Sequence, residues 1–264
     1  MRSYVPAYDL RTACDLPDAL GLLADGFRPL AGGTDVMVLF EAGKLAHTKW
    51  ADIRGLAGLR GIETETDHVT LGALTTYTDV RRSAILAVEF PMLCDAAAQT
   101  GGIATQNRGT IGGNIVNASP AADTPPALLA YEAEIELTSL RGSRWISYSQ
   151  FHKGYKLMDL APDELLTRVR LRRRFAEWRH FYRKVGTRRA QAISKVCFAG
   201  VRRGDEMRIG LGSVAPVPLL IRRETLDRTP LLLEQISPID DIRSTARYRT
   251  QVVKNLLDQF LERA

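Results

Sequence analysis

The sequence predicts an α+β fold: two N-terminal lobes over residues 1–55 and 56–172, then a small α+β module over 173–264. Three observations carry this reading. Helical and strand-like segments alternate through the first 55 residues, as in a small α/β lobe. Period-two alternation, the mark of half-buried strands, frames a helical stretch between Gly61 and Ile146. Charge also changes sign along the chain: residues 1–140 hold 10 Lys and Arg against 17 Asp and Glu, whereas 141–264 hold 26 against 13. Such asymmetry points to a change of domain or of exposed partner near the middle.

Asp15 is a natural N-cap for a helix whose apolar face is Leu16, Ala19, Leu20 and Leu23, ending near Gly26. Arg28 to Ala31 reads as a short strand running into Gly32-Gly33, with Val36, Met37, Leu39 and Phe40 on the helix that follows. Thr48 to Ile53 is a further strand. From Gly61 to Leu74 the pattern is a hairpin about a Thr-Asp turn. Asp79 to Ile85, Pro91 to Gln99 and Pro125 to Ala130 read as helices, the last preceded by a Gly-rich stretch over 101–113. Strands resume across the turn Arg141-Gly142 and again from Leu165 to Leu171. The charged segment RRRFAEWRHFYRK marks the boundary to the last module. There, Ser194 to Val201 and Met207 to Val214 are strand-like, and Ser244 to Leu261 closes the chain as a helix.

With 264 residues, 45% hydrophobic and 25% charged, the chain can bury a full core. No stretch approaches the roughly 18 apolar residues of a membrane span, and MRSYVPAYDL lacks the apolar region of a secretory signal. The expectation is a cytoplasmic protein without membrane association. Cys14, Cys94 and Cys197 are too far apart for a cluster or zinc site and read as small buried apolar residues. No metal site and no acid/base dyad is assigned. The four histidines carry no role, and His47 and His68 read as surface residues. The basic runs Arg172-Arg-Arg174 and Arg188-Arg189 lack any nucleic-acid reader motif, so an acidic partner subunit or the phosphates of NAD(H) suits them better.

Two glycine-rich segments carry chemistry. In Ala31-Gly-Gly-Thr-Asp35 the glycines permit positive φ and close backbone approach at a strand end, so exposed N–H groups would suit a pyrophosphate. Gly109-Thr-Ile-Gly-Gly-Asn114 repeats that logic and adds the Thr110 hydroxyl and the Asn114 amide. Either alone could be a plain turn; a dinucleotide, with two adjacent phosphates, needs the pair. No G-x-G-x-x-G follows a strand, and Gly210-Leu-Gly212 reads as close strand packing.

AGGTD, followed some 75 residues later by NRGTIGGNIVNASPAADTPP, resembles the FAD subunits and domains of the molybdenum hydroxylases, which have the PCMH-type two-lobe FAD-binding fold. RKVGTRRAQAIS and GLGSVAPVP resemble that family's final module, so the likeness covers nearly the whole chain. The resemblance implies a PCMH-type FAD-binding domain over 1–172 and a C-terminal domain over 173–264. It implies that Arg28, Pro29, Leu30, Ala31, Gly32, Gly33, Thr34 and Asp35, with Thr110, Ile111, Gly112, Gly113 and Asn114, line the FAD pyrophosphate and ribityl chain. Asp123 would hold a flavin-side hydroxyl, Leu166 would pack near the isoalloxazine, and Lys184 would lie beside the ring. Read without the resemblance, Asp123 is a helix N-cap, Leu166 is core and Lys184 is a solvated charge.

One departure stands out: the family commonly has Arg before the Asn of this loop, where Gln106 precedes Asn107. The implied function is an FAD-dependent electron-transfer subunit. It would take electrons from the [2Fe-2S] clusters of an iron-sulfur subunit, beside a molybdopterin-binding large subunit, and pass them to NAD or another acceptor. The alternative is a non-catalytic flavin-binding or assembly component of such a complex.

Overall fold

The computed structural model describes residues 6–188, 191–223 and 230–263. Arg189, of the second basic run, lies outside them. The first lobe is β1 (Asp9–Thr12), α1 (Leu16–Ala24), β2 (Arg28–Leu30), α2 (Thr34–Glu41) and β3 (Lys49–Asp52). Its strands run parallel in the order β1-β3-β2, an arrangement that requires the helices as crossovers. The Asp15 side chain caps α1 by accepting from Asp18 N–H at 2.8 Å. In return, Asp18 accepts from Cys14 N–H at 2.9 Å. This outward cap leaves Cys14 exposed, contrary to the expectation of a buried thiol. Ala19, Leu20, Leu22 and Leu23 of α1 close over Phe27, Ala51 and Ile53, the core of the lobe.

The second lobe holds β4 (Ile62–Thr64), β5 (His68–Gly72), α3 (Tyr77–Arg82), α4 (Ala84–Glu89), α5 (Pro91–Gln99), α6 (Ile103–Gln106), α7 (Ile111–Val116) and α8 (Thr124–Ala130). It continues through β6 (Glu134–Ser139), β7 (Gly142–Ser147), β8 (His152–Gly154), β9 (Leu157–Met158) and β10 (Leu165–Arg172). Five of these strands form an antiparallel sheet in the order β4-β5-β10-β6-β7. Ile135, Leu137, Val169 and Leu171 point into its helix-covered face. The other face carries the ion pairs Arg168–Glu136 and Arg170–Glu134. The single helix expected over Asp79 to Ile85 is two. A Thr76–Asp79 capping box starts the first at Tyr77, and Ser83, in extended backbone, ends it and accepts from Leu86 N–H to start the next. The Gly-rich stretch is likewise no plain loop, because it folds into α6 and the start of α7.

The last module is an antiparallel meander of β11 (Arg179–Val185), β12 (Val196–Arg203), β13 (Glu206–Gly212) and β14 (Leu219–Arg223), with α9 (Pro230–Gln235) and α10 (Ala246–Arg263). Alternate residues go to opposite cores. Val196 and Phe198 join Val253, Leu257 and Phe260 of α10, while Cys197, Ala199 and Val201 join the core of the second lobe. The sheet is therefore buried on both faces. Gly210 belongs where β13 meets α8: a Cβ there would lie 1.9 Å from the Pro126 carbonyl oxygen, so its glycine is a packing residue. Glu132, just past α8, ties the module down through Arg174, Arg208 and Arg222.

Candidate flavin site

The first glycine segment is the turn between β2 and α2. Gly33 takes φ +75 and stands as the N-cap of α2, where no side chain caps the helix. The first helical bond runs from Met37 N–H to the Gly33 carbonyl at 2.9 Å. The N–H groups of Thr34, Asp35 and Val36 therefore face out of the helix end without an intrahelical acceptor, as a phosphate would need. Gly32 answers a different demand. Its Cβ would lie 1.9 Å from the Arg108 carbonyl oxygen, so only glycine lets the two segments meet.

The second segment differs from the expectation in kind. Thr110 is the N-cap of α7, and its hydroxyl accepts from Gly113 N–H at 3.1 Å. Ile111 N–H donates to Thr75 and Gly112 N–H to Ala73, at 3.0 and 2.9 Å. Those N–H groups are spent inside the protein. Gly112 serves close approach, since a Cβ there would be 2.7 Å from the Ala73 methyl. The Asn114 side-chain oxygen accepts from the Thr124 hydroxyl. The two segments are thus not equivalent: AGGTD offers a free helix end, whereas TIGGN is a capped helix start of which only Gly113 and Asn114 are partly exposed.

Three residues not assigned to the site from the sequence join the segments. Arg108 Nε donates to the Gly32 carbonyl at 3.2 Å, and Asn117 Nδ2 to Asp35 Oδ1 at 3.2 Å. Lys156, on the β8–β9 hairpin with φ +57, places its ammonium on the Asn117 carbonyl and, at 2.9 Å, on Asn117 Oδ1. Arg108 stands directly before Gly109 and Asn117 three residues after Asn114, so adjacency was a signal for both. For Lys156 the sequence offered none.

Asp123 does not cap α8 with its side chain. It is 6% exposed and holds Lys184 Nζ at 2.6 Å on Oδ2 and the Ser194 hydroxyl at 2.6 Å on Oδ1. Burial pushes its carboxyl above the ordinary value, against the pull of the Lys184 ammonium and of the Ser194 and Thr100 hydroxyls. Lys184 is no solvated charge: its side chain is 6% exposed, and Nζ also donates to the Gln99 carbonyl at 2.8 Å. Two of its three N–H donors are thereby used, leaving one. The Tyr182 hydroxyl donates to the Asp123 carbonyl at 3.1 Å, with Cys197 against both. Leu166 is in the same core cluster as Tyr182 and Cys197, buried and paired with Leu137.

Gln106 has a structural role. Its amide oxygen accepts from Arg81 and its nitrogen donates to the Ala98 carbonyl at 3.0 Å, which ties α6 to α3 and α5. Of the histidines read as surface residues, both His47 and His68 are half-buried. A polar cavity of about 180 Å³ lies elsewhere, lined by Glu136, Thr138, Thr167 and Arg168, and touches neither glycine segment.

An uncapped helix end and a buried carboxylate–ammonium pair fit the phosphates and polar edges of a flavin dinucleotide. Residues 4–172 match the model of the FAD binding domain in molybdopterin dehydrogenase. The chain belongs to that family, as an FAD-binding subunit of a molybdenum hydroxylase and hence an oxidoreductase subunit. It is 30% identical to the xanthine dehydrogenase FAD-binding subunit of Escherichia coli O157:H7, over 96% of this chain and 94% of that one. It is 31% identical to the glyceraldehyde dehydrogenase medium chain of Sulfolobus acidocaldarius, over 96% of each. Among solved structures, reconstituted CO dehydrogenase from Oligotropha carboxidovorans superposes with a TM-score of 0.91 at 27% identity, covering 99% of both chains.

Proposed function

We infer that this chain carries FAD between a partner's [2Fe-2S] clusters and an acceptor such as NAD, within a cytoplasmic complex completed by an iron-sulfur subunit and a molybdopterin-binding large subunit. The observation that carries the reading is the uncapped α2 end, tied to the second glycine segment by Arg108–Gly32 and Asn117–Asp35; the buried Asp123–Lys184 pair supports it. Bound flavin supplies the ability to take electrons singly and release them in pairs. The chain's own residues do the rest.

Arg28 to Asp35 hold the pyrophosphate, with the N–H groups of Thr34 to Val36 as donors. Thr110 to Asn114 line the ribityl chain, with Gly113 and Asn114 the partly exposed members. Asp123 accepts a flavin-side hydroxyl on the acceptor capacity that Lys184 and Ser194 leave open. Leu166 packs near the ring. Lys184 turns its remaining N–H toward the ring, where a buried cation favours negative charge on the reduced form. The cofactor domain is taken as 1–172 and the C-terminal domain as 173–264.

The test is co-purification of the chain with its partners, followed by anaerobic addition of NADH. Bleaching of the flavin band together with reduction of the iron-sulfur absorbance supports the reading. A complex lacking either partner, or full activity of the isolated chain on a reduced organic substrate, contradicts it. A flavin that NADH leaves oxidised removes NAD as the acceptor.

A further inference from the structure

One line of contacts runs from Asp123 to the C-terminal helix. Asp123 Oδ1 accepts from the Ser194 hydroxyl, and Ser194 is 0% exposed, two residues before β12. The Ser194 carbonyl accepts from the Ser213 hydroxyl at 3.0 Å. Ser213, just past β13 with φ +66, donates its N–H to the Pro120 carbonyl at 2.8 Å, on the segment leading to Asp123. Its own carbonyl accepts from Arg249 Nη1 at 2.8 Å. Arg249, 1% exposed on α10, also donates from Nη1 to the Lys195 carbonyl at 2.9 Å and from Nη2 to Asp241 Oδ1 at 2.7 Å. One guanidinium thus holds the start of β12 and the end of β13, between which Ser194 meets Asp123.

An ionised carboxylate has about four acceptor positions. Lys184 takes one on Oδ2 and Ser194 one on Oδ1, which fixes the rotation of the group; with the Thr100 hydroxyl a third donor, at least one position stays open. Without the Ser194 donor, only the Thr100 hydroxyl is left to oppose rotation of the carboxylate toward Lys184. Buried polar networks of this kind are rigid when every member is satisfied and costly when one is lost.

We propose that Ser194 is a positioning residue for the flavin: it orients the Asp123 carboxylate that receives the flavin hydroxyl, and α10 holds it in place through Ser213 and Arg249. This rests on Asp123 being a flavin contact. The residue acts through Asp123 and Lys184, so its loss is expected to change both affinity for FAD and the flavin midpoint potential.

The experiment uses the full chain, stripped of flavin and titrated with FAD, with spectroelectrochemistry on the reloaded protein. Ser194→Ala is expected to bind FAD about tenfold more weakly, the effect of one lost hydrogen bond to a charged group, with a shifted potential. Ser194→Thr, which keeps the hydroxyl, is expected to restore both. Where Ser194→Ala does not fold, Arg249→Lys replaces it, since an ammonium cannot span both carbonyls and Asp241; it is expected to move affinity and potential in the same direction. Parent affinity and potential in Ser194→Ala, or in Arg249→Lys where that is the variant tested, would overturn the proposal. A parent chain that takes up no FAD would instead overturn the flavin reading itself, and this proposal with it.

Discussion

Lys184 and Asp123 stand 2.6 Å apart, 61 residues apart in the chain and both nearly sealed from water. They join β11 of the last module to the start of α8 in the second lobe, so the pair is an inter-module bond as well as part of the candidate site. Removing one partner strands the other. Lys184→Met is expected to cost about 3 kcal/mol of stability, read from urea unfolding monitored by tryptophan fluorescence. Asp123→Asn, which can still accept from Ser194, is expected to cost less. Parent-like unfolding of Lys184→Met would show that the pair does not hold the modules together.

The glycines of the candidate site separate by mechanism. Gly32→Ala drives a methyl onto the Arg108 backbone, which cannot swing aside as a side chain would. About 2 kcal/mol of destabilisation is expected, with loss of FAD uptake. Gly21→Ala in α1 meets nothing within 4 Å and is expected to stabilise by about 0.5–1 kcal/mol. Thermal unfolding of both variants decides the matter, and equal effects would mean that the contact at Gly32 is absent.

His152 gives the fold a pH dependence. Burial lowers its pKa to about 4, beside the rings of Tyr148 and Phe151 and with Nε2 3.0 Å from the Tyr148 hydroxyl. The unfolded chain binds a proton at this residue below about pH 6.5, whereas the folded chain does so only near pH 4. Stability from this group is therefore complete above pH 6.5 and falls as pH drops toward 4. His152→Gln is expected to flatten that slope in urea midpoints measured from pH 7 to 4. A slope unchanged by the substitution would assign the acid sensitivity to other groups.

Asp241 acts at lower pH. Burial tends to raise its carboxyl, but the Arg243 side chain, the N–H groups of Arg243 and Ser244, and Arg249 outweigh it and hold the pKa at about 2. A carboxylate with a depressed folded pKa stabilises above its unfolded value and loses that contribution as pH falls toward the folded one. Asp241→Asn is expected to be less stable at neutral pH and to lose its difference from the parent between about pH 4 and 2. A difference that persists at pH 2 would contradict this.

What the sequence revealed follows from where each signal lies. AGGTD and TIGGN are each contiguous in the chain, so they were legible as motifs, although only Gly33 is required by its own φ while Gly32 and Gly112 answer to Arg108 and Ala73. The Asp15 cap, whose partner is three residues away, was legible too. Strand β11 was not, because its basic residues hide the pair Phe181 and Tyr182, which point to opposite cores. Ser194, backed by Ser213 and Arg249, meets Asp123 only after the last module packs on the second lobe, and a serine before a strand has no pattern of its own. The resemblance placed Lys184 and Asp123 at the flavin. That they bind each other is a fact of the fold.

The most direct test is the visible absorption spectrum of the purified chain, with acid release and identification of any pigment. A flavin spectrum and release of FAD are expected, with Gly32→Ala colourless or nearly so. A parent chain that is colourless and takes up no added FAD would contradict the assignment of the α2 end and the Asp123–Lys184 pair as a flavin site.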